Sequence, residues 1–214
     1  MFEINEKVFL TYVFQLPCLL SKNFVESKMN TREKILTTAA FLFQKKGYHA
    51  TGLNEIIKES ATPKGSLYYY FPNGKEELAE ATIKLMGDKI QHNIEEELAK
   101  NNDPVQAIEE LILDLARKFN EKDQENCFSI GLLALETVSI SESLRKACIE
   151  VYDLWTDTYY QKLVSSGFSS EKSAELSLIL QLTIEGAITI SLIRNDNTML
   201  IAAAEKIPIL LKNK

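Results

Sequence analysis

A chain of 214 residues carrying 45% hydrophobic and 25% charged residues has the make-up of a soluble globular protein, and excludes a disordered or fibrous one. Three scattered cysteines and two histidines supply neither a disulfide framework nor a zinc-ligand spacing, and no Gly-rich phosphate loop occurs. Taken alone, the net charge of −6 argues against nucleic-acid binding. Its distribution points the other way. Residues 29–74 set Arg32, Lys34, Lys45, Lys46, Lys58 and Lys64 against only Glu33, Glu55 and Glu59, residues 1–28 balance, and the remainder is strongly acidic. A basic module on an acidic body gives local attraction for phosphate without general stickiness.

Residues 1–28 have neither the basic start nor the cleavage site of a secretory signal, and Val8–Leu20 is too short to cross a bilayer. Two readings stay open for them. Either Met29 is the physiological start and the preceding residues are upstream sequence or an arm, or Val8, Phe9, Tyr12, Val13 and Leu16 belong to an extra helix. From Thr31 to Lys46, Ile35, Ala39, Leu42 and Phe43 fall on one helical face, and Gly47 is placed to end the helix. Thr51 is a natural N-cap for a second helix burying Leu53, Ile56 and Ile57. Glu59 to Thr62 makes a short turn. Thr62 and Pro63 then suit the N-cap and first position of a third helix through Tyr70. Two short helices joined by a tight turn and braced by a longer one form a helix-turn-helix unit.

Lys64, Gly65 and Ser66 leave the start of that third helix with little bulk, so its backbone can approach a base edge. Tyr68, Tyr69 and Tyr70 wrap around most of the helix, and at least one faces outward. Asn73 and Glu76 read as a capping box opening a helix that runs to about Lys100. That sets Lys75 at a helix N-terminus, ready for a phosphate. The body reads as five more helices, opened by Pro104, Ile130, Ser141, Glu171 and Thr198. The stretch Leu176–Ile193 is apolar nearly all round. Gln181, Glu185 and polar flanking helices argue for burial on two sides rather than a membrane span. The fold class is all-α: residues 29–74 as a helix-turn-helix domain, and 75–214 as a helical effector-binding and dimerisation domain.

The run from Arg32 to Thr51, then Leu53 to Ile57, then Lys64-Gly-Ser-Leu-Tyr-Tyr-Tyr-Phe71, resembles the TetR/AcrR family of bacterial transcriptional regulators. Downstream, Leu133-Ala-Leu-Glu-Thr137, Trp155 and Ile184-Glu-Gly-Ala187 resemble its LmrA/YxaF-type branch. Cys127-Phe128 departs from the Cys-Pro that many relatives carry. The resemblance implies a cytoplasmic, ligand-responsive regulator, usually a repressor, whose last two helices form a two-fold dimer interface. A dimer reads a palindromic duplex with recognition helices about 34–36 Å apart. Expected base-edge contacts are Lys64, Gly65, Ser66, Tyr68 and Tyr70; expected phosphate contacts are Thr51, Asn54, Tyr69 and Lys75. The effector expected from the resemblance is a planar aromatic or amphipathic molecule. Its candidate lining is Phe119, Phe128, Leu132, Leu133, Tyr152, Trp155 and Tyr159, with Glu136 or Glu185 as a rare polar group, although each aromatic alone also suits ordinary core packing. No enzyme activity, catalytic residue, metal or cofactor is called for. A helical carrier of apolar molecules that does not read DNA is the competing function.

Overall fold

The computed structural model describes residues 29–120 and 129–212, so the N-terminal extension, Cys18, Cys127 and Phe128 lie outside the described residues. Among the described residues the chain forms nine α-helices: α1 Thr31–Lys46, α2 Leu53–Glu59, α3 Lys64–Tyr70, α4 Lys75–Ala99, α5 Pro104–Asn120, α6 Ile130–Thr137, α7 Glu142–Ser165, α8 Ser170–Arg194 and α9 Thr198–Leu210. They fall into two compact units. One takes in residues 29–89 and 129–149, the other 90–120 and 150–212, so that the division passes within α4 and α7.

In the first unit α1 packs on α2, α3 and α6. Ile35, Leu36, Ile56, Leu67, Phe71, Leu78 and Ile83 are almost wholly buried, and these apolar side chains, removed from water, drive the packing of helices as short as α2 and α3. Asn30 and Glu33 close a reciprocal capping box on α1, with the Glu33 N–H donating to Asn30 Oδ1 at 2.9 Å and the Asn30 N–H to Glu33 Oε2 at 3.1 Å. Gly47 follows with φ +82° and ψ 164°, a backbone region open in practice only to glycine.

Three expected caps are placed differently. Thr51 does not cap α2, which starts from Gly52 without a side-chain cap. The Thr51 hydroxyl is buried and donates to the carbonyls of Leu42 at 3.1 Å and Gly47 at 2.8 Å, tying the loop back onto α1. Thr62 does not cap α3 either. Pro63 is the N-cap, and the buried Thr62 hydroxyl lies 2.7 Å from that of Ser60 inside the turn. At the head of α4 it is Glu77, not Glu76, whose carboxylate receives the Asn73 N–H, at 2.8 Å. Glu76 Oε1 instead accepts the hydroxyls of Ser141 and Ser143, both at 2.7 Å, which hold its carboxyl below the usual range. Thr51 and Thr62 turn to partners within nine residues, and only Glu76 is claimed by partners distant in the chain.

In the second unit α9 packs on α5 and α8, over a core that includes Ile108, Leu111, Ile112, Leu163, Leu180 and Ala204. Asp103 caps α5 as its sequence implies, accepting the Val105 N–H at 2.8 Å. The Asn197 side-chain amide donates to the Ala116 carbonyl at 2.9 Å and anchors the α8–α9 turn on α5. That turn is opened by Asn195 in the left-handed region, at φ 58°, where asparagine is among the better-tolerated residues. By length and composition α8 is apolar enough to cross a bilayer, and a third of its most apolar window is buried.

Candidate nucleic-acid interface and effector site

Leu67 anchors α3: it is fully buried, and the neighbouring side chains then have to point outward. Lys64 and Gly65 are exposed and Ser66 is half-buried. Tyr68 is 43% exposed and Tyr69 79% exposed. A single exposed ring is ordinary on a protein surface, but here two stand side by side on one short helix, which marks a surface for a partner. The Lys64 ammonium lies 5.9 Å from the centre of the Tyr68 ring, one helical turn away. Tyr69 and Tyr70 meet edge to face at 5.1 Å. Nothing within 4 Å would meet a Cβ at Gly65, so its surface is open. Asn54 is exposed on α2.

Lys75 is not a free ammonium at the start of α4. It lies 4.4 Å from the centre of the Tyr48 ring and donates to the His49 carbonyl at 3.4 Å. Burial lowers its pKa, and Glu136 opposes that shift. Tyr48 itself is nearly buried and packs on Phe43 with ring centres 5.6 Å apart. The lysine is therefore preorganised by a cation–π contact that sequence reading missed, because Tyr48 is far from it in the chain. Thr51 stands apart from the other expected phosphate contacts, with no exposed surface and its hydroxyl engaged.

The expected effector residues divide between the units. Phe119, Tyr152, Trp155, Tyr159 and Glu185 belong to the second. Tyr152 and Trp155 are edge to face at 5.5 Å, and the Tyr152 hydroxyl donates to Glu185 Oε2 at 3.2 Å. Burial pushes the Glu185 carboxyl up to about 6, with the Tyr152 hydrogen bond pulling the other way. Burial, and then Glu185, raise the Tyr159 phenol. Gln181 donates to Glu185 Oε1 at 3.5 Å, while its own Oε1 is buried without a hydrogen-bond partner. Gln91 Oε1 and Asn93 Nδ2 in the same unit are likewise buried and unpartnered. Such atoms cost stability unless something else satisfies them. Gln91 and Asn93 were not legible as site candidates, because polar residues are ordinary along a helix as hydrophilic as α4.

Leu132, Leu133 and Glu136 belong to the first unit, on α6. Leu133 is buried and Leu132 half-buried. The Glu136 carboxylate turns to the loop after α1, accepting the His49 N–H at 3.3 Å. A groove of about 700 Å³ in this unit is lined by charged side chains, among them Arg32, Glu76, Glu80, Lys84 and Asp88. Its lining contains none of the expected effector residues. Among the described residues no cluster of His, Cys, Asp and Glu has metal-binding geometry.

Residues 35–82 match the model of bacterial regulatory proteins of the tetR family, and residues 104–206 that of the transcriptional regulator LmrA/YxaF-like C-terminal domain. The chain is 45% identical over 188 residues to the uncharacterized HTH-type transcriptional regulator YxaF of Bacillus subtilis (strain 168), covering 88% of this chain and 98% of that one. It belongs to the TetR family, in the LmrA/YxaF-like branch. The HTH-type transcriptional regulator LmrA of the same organism is 42% identical, over 86% of this chain and 97% of its own length. The fold of this TetR-family chain also matches the crystal structure of E. coli NemR in its reduced form, with a TM-score of 0.75 at 23% identity over 84% of this chain and 95% of that one. The protein is therefore a DNA-binding transcriptional regulator and not an enzyme. TetR-family membership identifies α2 and α3 as its helix-turn-helix.

Proposed function

We propose that this regulator acts in the cytoplasm as a dimeric repressor, held on a near-palindromic operator and released by an aromatic or amphipathic effector. The observation that carries the DNA-reading half is the exposure of Tyr68 and Tyr69 beside Lys64, Gly65 and Ser66, on a helix held from behind by Leu67. Lys64, Gly65, Ser66, Tyr68 and Tyr70 reach base edges in the major groove, while Asn54, Tyr69 and Lys75 grip phosphates. Thr51 serves this surface by fixing the loop that leads into α2. One seven-residue helix reads too few bases alone, so two copies are needed.

The dimer is built on α8 and α9. Leu178, Leu182 and Ile193 on α8 and Ile201 and Ile209 on α9 are exposed apolar side chains, a set that a second copy of the chain would cover. The effector binds in the second unit among Phe119, Tyr152, Trp155 and Tyr159. Buried polar atoms without partners on Gln91, Asn93 and Gln181, with the Glu185 carboxyl, favour a ligand that pairs flat apolar area with hydrogen-bonding groups.

Footprinting the native chain on DNA upstream of its own gene, with excess competitor, tests this. A protected near-palindrome is expected. Lys75→Ala should weaken operator and random duplex alike and flatten the salt dependence by about one phosphate contact, whereas Lys64→Ala should relax base preference. Unspecific binding alone, there and in a genome-wide selection, would contradict the repressor and leave a carrier of apolar molecules.

A further inference from the structure

The loop between α1 and α2 is held from two sides. On the inner side Thr51 donates to the Gly47 carbonyl. On the other lies Glu136, in the last turn of α6. Its Oε2 receives the His49 N–H at 3.3 Å, and its backbone carbonyl lies 3.3 Å from His49 Nε2. A Cβ added at Gly47 would fall 2.8 Å from Glu136 Oε2 and closer still to Oε1. The carboxylate thus occupies the space that glycine leaves open. It also acts electrostatically on the Lys75 ammonium, which donates to the carbonyl of the same His49. A second tie joins the start of α6 to α1, where the Ser129 N–H donates to Gln44 Oε1 at 3.0 Å.

From this geometry we infer that Glu136 is a positioning residue for DNA reading: from α6 it sets the Gly47–His49 loop, and through it the Lys75 ammonium and the start of α2, without touching DNA. Four residues, 138–141, join α6 to α7, the helix that carries Tyr152, Trp155 and Tyr159. A change in the body that displaces α6 therefore reaches the head at this carboxylate. The inference rests on the operator-reading function proposed above.

The test uses the full chain and an operator enriched by the native protein from a random duplex pool. Glu136→Ala is expected to bind that operator roughly 3- to 30-fold more weakly, with a smaller loss on random duplex through the displaced Lys75 ammonium. The His49 amide should exchange faster in this variant. Glu136→Gln, whose amide oxygen still accepts the His49 N–H, should return to within about twofold of the native affinity. Should Glu136→Ala fail to fold, Glu136→Asp withdraws the carboxylate by one methylene and is judged by the same readouts. A native chain that enriches no sequence overturns the operator reading and this inference together. If it does enrich one, Glu136→Ala equal to native, or Ala and Gln variants both binding every duplex more tightly, overturns the inference alone. The tighter binding would mean that the charge only repels phosphate.

Discussion

Ala61 and Glu185 show how single residues carry costs that the fold imposes. Ala61, in the turn between α2 and α3, has φ 50°, a left-handed conformation that a Cβ disfavours by roughly 1–2 kcal/mol. Its side chain is exposed, so a glycine there would lose no packing. Ala61→Gly should raise unfolding stability by roughly 0.5–1 kcal/mol in urea denaturation, after the added entropy of an unfolded glycine is deducted. Unchanged or lowered stability would mean that the turn is not strained. Glu185 runs the opposite way from an ordinary surface carboxylate. Burial pushes its carboxyl from 4.5 up to about 6, so between those values the folded state holds more protons than the unfolded one. Its contribution is then complete below about 4.5 and is lost as pH rises through about 6. Glu185→Gln should accordingly stabilise the protein at pH 8, by up to about 2 kcal/mol, and change little at pH 4. Melting temperatures measured at both pH values would show it; a gain of equal size at both would contradict the burial argument.

Helices obey their own patterns here until a neighbour intervenes. α1 begins and ends where its apolar spacing, capping box and glycine place it. α4 and α7 follow their periodicity as well, while α2 and α3 each begin one residue later than expected, as Thr51 and Thr62 turn inward. α8 is the helix whose sequence pattern carries a further consequence. Leu176, Leu180, Ile184 and Ala187 are buried, while Leu182 is 73% exposed and Ile193 78% exposed, which makes it a two-faced helix with one face uncovered in the single chain. Leu182→Glu should shift the protein from dimer to monomer in sedimentation, weakening association by roughly a hundredfold. Two leucines, one per copy, are each worth about 1.5–3 kcal/mol when buried. Helical content should stay the same and operator binding should fall. A variant that remains dimeric would move the interface elsewhere.

For the molecule as a whole, sequence alone determined the class, the helix count among the described residues, the helix-turn-helix and the family. These rest on local rules: apolar residues at helical spacing, and a Lys64–Phe71 motif whose order and spacing are contained in a few turns. The outward tyrosines followed from the same arithmetic, since three in a row cannot share one buried face. What the local rules cannot reach is the choice among partners that are distant in the chain. Asn73 finds Glu77 rather than Glu76 because Ser141 and Ser143, more than sixty residues away, claim Glu76. Lys75 rests on Tyr48, and Glu136, one of the two carboxylates expected as an effector site's polar group, reaches Gly47 and His49. Only tertiary structure decides these, because a charged or polar side chain has several partners of similar strength available, and burial and packing settle which one it can reach.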